Sequence, residues 1–358
     1  MISLRAKTQI FALLLLFLLG GVAPLKAEVA LLVAEPFGKF GYFNPTGHAA
    51  IYISTICAET PTTLRPCEPG EPGVVISRYN RVSGFDWIAI PLLPYLYAVE
   101  KPEDVPATAD NELISQLREN YRRARLRPLV PDDPKRKVPK GDWRQLIGAA
   151  YDRNIYGFAV KTGPEDDARL IQYLNSRENH RRFHLIWRNC ADFARNILNF
   201  YYPSAVKRNI IGDLGIMTPK QAAKSLVKYT QRHPELNLTH FMIPQIPGKS
   251  SSSKLRGVNE SLIRSTKYAV PLVVLQPWVA VSATVAYFTF GRFNPGHYEP
   301  ILCEPSNVPD CVAGKEIVSP PETQMADGEP ETDDNTDLFS ESHPKTPSAE
   351  QIENSEHR

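Results

Sequence analysis

Apolar positions along this chain change period several times, and each change marks an expected element. Residues 28–35 (EVALLVAE) form a short apolar run with the length of a buried strand. From 48 to 55 (HAAIYIST) β-branched residues alternate, which places His48, Ala50, Tyr52 and Ser54 on one face of a second strand. The small Ala50 beside His48 leaves room for a helix end to pack there. Further strands are expected at 74–80 (VVISRYN) and 157–160. Residues 87–97 (WIAIPLLPYLY) are apolar but broken by Pro91 and Pro94, as in a packed loop or a short strand. Helical spacing takes over at 111–127, 142–151 and 164–176, the last with an acidic first turn at Glu165, Asp166 and Asp167. Thr218 followed by Pro219 starts another helix, running to 229.

One stretch changes character within a few residues. Residues 183–187 (FHLIW) read as strand, after which Asn189 is a good N-cap with Asp192 as the acidic half of a capping box. Counting on from Cys190, the residues Phe193, Ala194, Ile197, Leu198 and Tyr201 make an apolar stripe at helical spacing. Cys190 lies on that stripe and so faces protein. It also sits at a helix N-terminus, where the positive dipole end and free N–H groups favour thiolate. A small buried hydrophobe fits the same description.

The ends of the chain differ from its middle. Arg5 and Lys7, an apolar run over 10–19, Gly20, Gly21 and a stretch ending Leu25-Lys26-Ala27 describe a secretory signal peptide, residues 1–27; an uncleaved anchor is the alternative. Residues 28–243 then form the main domain, and 244–258, with four consecutive serines, a linker. Residues 269–290 (AVPLVVLQPWVAVSATVAYFTF) are long and uncharged enough for a transmembrane segment. Pro271, Gln276 and Pro277 fit two strands or a packed segment as well. The acidic, Pro- and Ser-rich residues 317–358 read as a disordered tail.

Charge narrows the partners. Lys and Arg number 41 against 39 Asp and Glu, so net charge makes no case for nucleic acid. Arg122, Arg123, Arg125, Arg127, Lys135, Arg136, Lys137 and Lys140 cluster, either as a solvated face or as a basic patch for anionic lipid or cell-wall polymer. Export to a periplasm or cell envelope changes how the five cysteines are read. Cys57 and Cys67 are near neighbours, as are Cys303 and Cys311, so two local disulfides would leave Cys190 unpaired. A spanning helix at 269–290 would conflict with this, because it would put Cys303 and Cys311 in a reducing cytoplasm. An odd thiol in an oxidising compartment needs a reason, and nucleophile is a common one.

A catalytic thiol needs a base within reach, a partner that orients the base, and donors for an oxyanion. His48, opening a strand after Gly47, is the candidate base. The order of Gly47-His48-Ala49-Ala50-Ile51-Tyr52-Ile53 and, much later, Arg188-Asn189-Cys190-Ala191-Asp192-Phe193 resembles the circularly permuted papain-like hydrolases. These are the relatives of the NlpC-type cell-wall peptidases and of lecithin:retinol acyltransferase. The resemblance implies an α+β fold with an antiparallel sheet packed on the helix that carries the Cys, here with a helical insertion around 111–151. It implies Cys190 as nucleophile and His48 as general base. The third residue would be polar and on the next strand: Ser77 first, with Tyr79 and Asn80 as alternatives. No His stands there, a departure from the group's commonest pattern. Asn189 and His184 are candidates to bind or orient the oxyanion, although His184 fits a packing role too. No metal or cofactor is expected. The expected activity is an exported thiol hydrolase or acyltransferase acting on an amide or ester of a cell-wall peptide or lipid. The rival is a non-catalytic, membrane-associated envelope protein that uses the same scaffold for binding.

Overall fold

The computed structural model describes residues 27–38, 45–80, 82–136, 138–139 and 142–313. The expected signal peptide, apart from Ala27, and the expected disordered tail, 317–358, lie outside the described residues. Strands β1 (Glu28–Ala34), β2 (His48–Ile53), β3 (Ile56–Thr60), β4 (Thr63–Pro66), β5 (Val74–Ser77) and β6 (Ile88–Pro91) precede the short helices α1 (Leu92–Tyr97) and α2 (Asn111–Tyr121). Strand β7 (Ile155–Lys161) leads to α3 (Pro164–Asn175), α4 (Cys190–Tyr201), α5 (Ile210–Asp213) and α6 (Pro219–Thr230). Then follow β8 (Thr239–Ile243), α7 (Val258–Arg264), α8 (Thr266–Leu275), α9 (Pro277–Ala286), β9 (Ile301–Leu302) and α10 (Val308–Val312). The architecture is α+β. Its sheet has the order β6-β5-β2-β1-β7-β8-β9, antiparallel except for the parallel pair β8–β9.

Strand β1 is buried along its whole length, because both faces of the sheet are covered. On one face Val29, Leu31 and Val33 join Ala49, Ile51 and Ile53 beneath α4 and α6. On the other, Ala30, Leu32, Ala34, Ala50 and Tyr52 pack with α1, Trp143 and Tyr151. The helix bearing Cys190 therefore lies over the face of Ala49, not that of Ala50 as the small side chain beside His48 had implied. Ala34 pairs with both His48 and Ile155, so these three residues form one row at one end of the sheet.

Several elements depart from the periodic pattern. The helix over 111–127 ends at Tyr121 and widens over Arg122–Leu126, where Arg122 turns inward to Glu119, Asp132 and the Val130 carbonyl. The arginines of the expected basic patch are paired: Arg123 with Glu119, Arg125 with Glu100, Arg127 with Asp132 and Arg136 with Asp133. Residues 142–151 hold two single 3₁₀ turns separated at Gly148, whose φ of 68° a continuing helix does not accept. Residues 183–187 are an exposed turn closed by reciprocal backbone bonds between His184 and Arg188, with Leu185 57 % and Trp187 60 % exposed. With no strand beside it, an apolar run is not a strand.

The expected linker at 244–258 is a strap laid along the domain up to the start of α7. Ile246 N–H donates to the Ala150 carbonyl, Ser253 N–H to Pro36 and Arg256 N–H to Pro45, while Lys249 pairs with Asp152 at 2.5 Å. Residues 269–290 break at Gln276 into α8 and α9, ten residues each. No helix among the described residues is long and apolar enough to cross a membrane. Strand β9 then rejoins the sheet beside β8, so the chain returns to the side from which it left. Cys57–Cys67 closes the β3–β4 hairpin and Cys303–Cys311 follows β9, leaving Cys190 free and buried. Two disulfides fit an oxidising, exported location.

Candidate active site

Helix α4 begins where β2 and β5 part. Their pairing stops at Ile51↔Ile76, although β5 continues to Ser77. The Ala49 carbonyl, which would face β5, is instead capped by the Ser77 hydroxyl at 3.0 Å. The Ala49 N–H points into the same gap and favours a thiolate at Cys190. The start of α4 is held there from several sides. Asn189 accepts from Asp192 N–H (2.9 Å), and Asp192 accepts in return from Asn189 N–H (3.3 Å), closing the capping box. Both amide protons of Asn189 go to the Leu185 and Met217 carbonyls, each at 2.9 Å. Asn189 therefore has no proton left for an oxyanion. Buried Arg78 donates to the Asn189 carbonyl at 3.5 Å, pairs with Asp86 at 2.8 Å and lies over the Phe193 ring.

Across the gap, His48 Nε2 lies 2.7 Å from Ser77 Oγ. Ser77 has one proton and gives it to the Ala49 carbonyl, an obligate acceptor, so the imidazole supplies the proton of the Nε2 bond. Nδ1 then carries the free lone pair, the tautomer a general base requires. The ring stacks on Tyr79 with centroids 4.5 Å apart, and the Tyr79 hydroxyl donates to the Gln145 carbonyl at 3.0 Å. Among the described residues no hydrogen bond joins sulfur and imidazole in this resting arrangement. Apo catalytic bonds are commonly open in this way. Asn80 is exposed outside the site. His184 is exposed too and accepts the Ile186 and Trp187 N–H groups with its own Nδ1, which makes it a turn cap and not an oxyanion donor.

Burial dominates the electrostatics. It pushes the Cys190 thiol up from its ordinary range, against the pull of the N–H groups of Ala49, Ala191 and Cys190 and the charge of Arg153. Burial, with Arg153 as the second cause, holds His48 well below the usual imidazole range. The helix N-terminus thus does not yield the resting thiolate that its dipole alone would favour. Thiol and imidazole both rest neutral.

Arg153 had no signal in the sequence, because it lies in a turn just before β7 with no periodic context. It is 3 % exposed, and its charge reaches His48, Cys190, Tyr79 and Tyr95. The guanidinium stands 4.7 Å from the Phe37 ring centroid, while its buried Nε has no hydrogen-bond partner. No carboxylate among the described residues pairs with it. A metal finds no comparable place at the other ligand-rich spot. Cys57, Cys67 and Glu71 are close together, but the sulfurs form a disulfide and Arg65 holds Glu71 with two bonds of 2.6 Å.

No family model, curated protein or solved structure matches this chain. The chemistry therefore rests on the geometry of the gap between β2 and β5.

Proposed function

We propose that the chain is an exported cysteine hydrolase or acyltransferase of the permuted papain-like kind, acting on an amide or ester of a cell-wall peptide or lipid. The observation that carries this reading is the 2.7 Å His48–Ser77 bond beside a free cysteine at a capped helix start. With both groups neutral, the thiol is deprotonated as it attacks. The Cys190 sulfur bonds to the carbonyl carbon while His48 Nδ1 takes its proton. Ser77 keeps Nε2 protonated and holds the ring in place. The N–H groups of Cys190 and Ala191, which draw the thiol pKa down, would receive the oxyanion. Collapse breaks the bond to the amine or alcohol, which leaves with the proton from His48. Water or an acceptor alcohol or amine then attacks the thioester, giving its proton to His48 and releasing the thiol.

The rival reading, a non-catalytic envelope protein on the same scaffold, draws support from the burial of Cys190 and its raised thiol. Intact-mass spectrometry after exposure to p-nitrophenyl esters of short and long fatty acids separates the two. The enzyme reading expects one acyl adduct, absent in Cys190→Ala and formed roughly 10²- to 10⁴-fold more slowly in His48→Ala. No adduct on the unmodified chain, or an equal one in Cys190→Ala, overturns it.

A further inference from the structure

Helices α8 and α9 are the most exposed apolar part of the described chain. Val273, Val274, Leu275 and Trp278 surround the break at Gln276, with exposures of 58, 72, 72 and 82 %. Helix α9 folds back beside α7, burying Ala280 and Ala283, and the following turn buries Tyr287, whose hydroxyl lies 3.3 Å from Glu260 in α7. The pair is therefore a hairpin whose foot stands on the domain and whose tip stands free. Between Lys267 and Arg292 there is no charged residue. An interface with a second copy needs one apolar stripe and a polar rim. Here the apolar residues run round both helices, as in a segment surrounded by lipid. Ten residues give each helix about 15 Å, half of a hydrocarbon core of about 30 Å.

Charge at the foot complements this. A cavity of about 790 Å³ there is lined by Lys220, Lys254, Arg256, Arg264 and Arg292, against Glu35 and Glu260. Glu260 is already shared by Lys220 and Arg264. Arg256 has the Ser265 hydroxyl at 2.8 Å, and Arg292 lies over the Phe288 ring, 5.7 Å from its centroid. Neither has a carboxylate partner among the described residues. The apolar surface also continues towards the candidate site. Helix α5 packs on the turn after α9, exposing Ile210, Ile211 and Leu214. Arg208, just before it, covers the Trp187 ring at 5.3 Å, three residues upstream of Cys190.

We infer that the α8–α9 hairpin inserts into one leaflet of an anionic bilayer, with the cations at its foot meeting lipid phosphates. The chain is thereby held on the membrane without crossing it, and the loop that precedes Cys190 lies at the lipid surface. This inference is independent of the thiol chemistry and stands or falls by binding alone. Vesicle flotation of the full chain tests it, comparing phosphatidylcholine vesicles with vesicles containing about 30 % phosphatidylglycerol. Binding to the anionic vesicles is expected, falling roughly tenfold or more in the double variant Val274→Ser/Trp278→Ser. Arg256→Gln/Arg292→Gln is expected to lose the preference for phosphatidylglycerol while keeping weak binding to both. The substituted side chains at the tip are exposed, so folding is retained, and circular dichroism checks it. Flotation of the tip variant equal to that of the unmodified chain overturns the inference. So does a concentration-dependent dimer that the same substitutions abolish in a chain that ignores vesicles.

Discussion

Arg122 and Arg153 are both withdrawn from water, at 0 % and 3 % exposure, yet their surroundings are opposite. Arg122 meets Glu119 through two bonds of 2.7 and 2.8 Å, Asp132 at 2.6 Å and the Val130 carbonyl at 2.6 Å. Arg153 has an aromatic face and, among the described residues, no acid. A buried guanidinium costs several kcal/mol in desolvation unless such partners offset it. Arg122 is therefore explained by the fold, since it closes the end of α2 and pins the chain at 130–132. The fold does not explain Arg153. What it does have is a position from which its charge favours both a thiolate at Cys190 and a neutral His48.

Removing each charge breaks this comparison in different ways. Arg122→Ala removes two of the bonds that hold buried Glu119, leaving it only the exposed Arg123, and is expected to destabilise by about 3–5 kcal/mol, read as a lower midpoint in urea unfolding. A loss below about 1 kcal/mol would put Arg122 and Arg153 in the same class. Arg153→Met keeps the volume and removes an uncompensated buried charge, so stability should rise, by roughly 1–4 kcal/mol. Acylation of Cys190 should nevertheless slow by roughly tenfold, because the developing thiolate loses its nearby cation. Unchanged acylation together with a large stability loss would make Arg153 structural. The smallest effect sharpens the pair through His48, whose folded-state pKa is depressed below its unfolded value. The unfolded chain then binds the proton first as pH falls below about 6.5. Stability is present above that value and declines below it, by at most about 1.4 kcal/mol per pH unit for this one group. His48→Gln, which can still reach Ser77, should flatten that part of the stability profile by the corresponding amount. Parallel profiles would mean that His48 is not held neutral.

The parts of this molecule legible from residue order are those governed by local rules. Alternation gives β2 and β5 their faces, so His48 and Ser77 meet because each is in phase with the same side of the sheet. The capping pattern Asn189–Asp192 and the apolar stripe behind it are read directly as α4. Short separations in the chain suffice for both disulfides. What escaped depends on distant partners. The serine-rich segment after 244 becomes a strap only because the ends of β1 and β7 offer it Glu35, Ala150 and Asp152. Residues 183–187 have the composition of a strand and no neighbour to pair with. Hydropathy could not divide 269–290, because a single non-helical residue, Gln276 with φ −143° and ψ 64°, turns one long segment into two short ones. Arg153 is the extreme case: its significance lies in what does not stand beside it.

The return of the chain to the sheet at β9 has a mechanical consequence. Strands β8 and β9 are parallel neighbours, and everything between them, including α8 and α9, is one loop anchored at both ends on a single edge of the sheet. Once the strap and α7 have given way, a pull on the hairpin is divided between the two strands, so no single strand carries it. Beyond β9 the Cys303–Cys311 bridge, with Val308 and Val312 in the core, acts as a knot that stops the two-residue strand from being drawn out. Traction at the tip thus falls first on the strap's bonds to Pro36 and Pro45 and on the seat of α7, and behind them on a covalently backed edge.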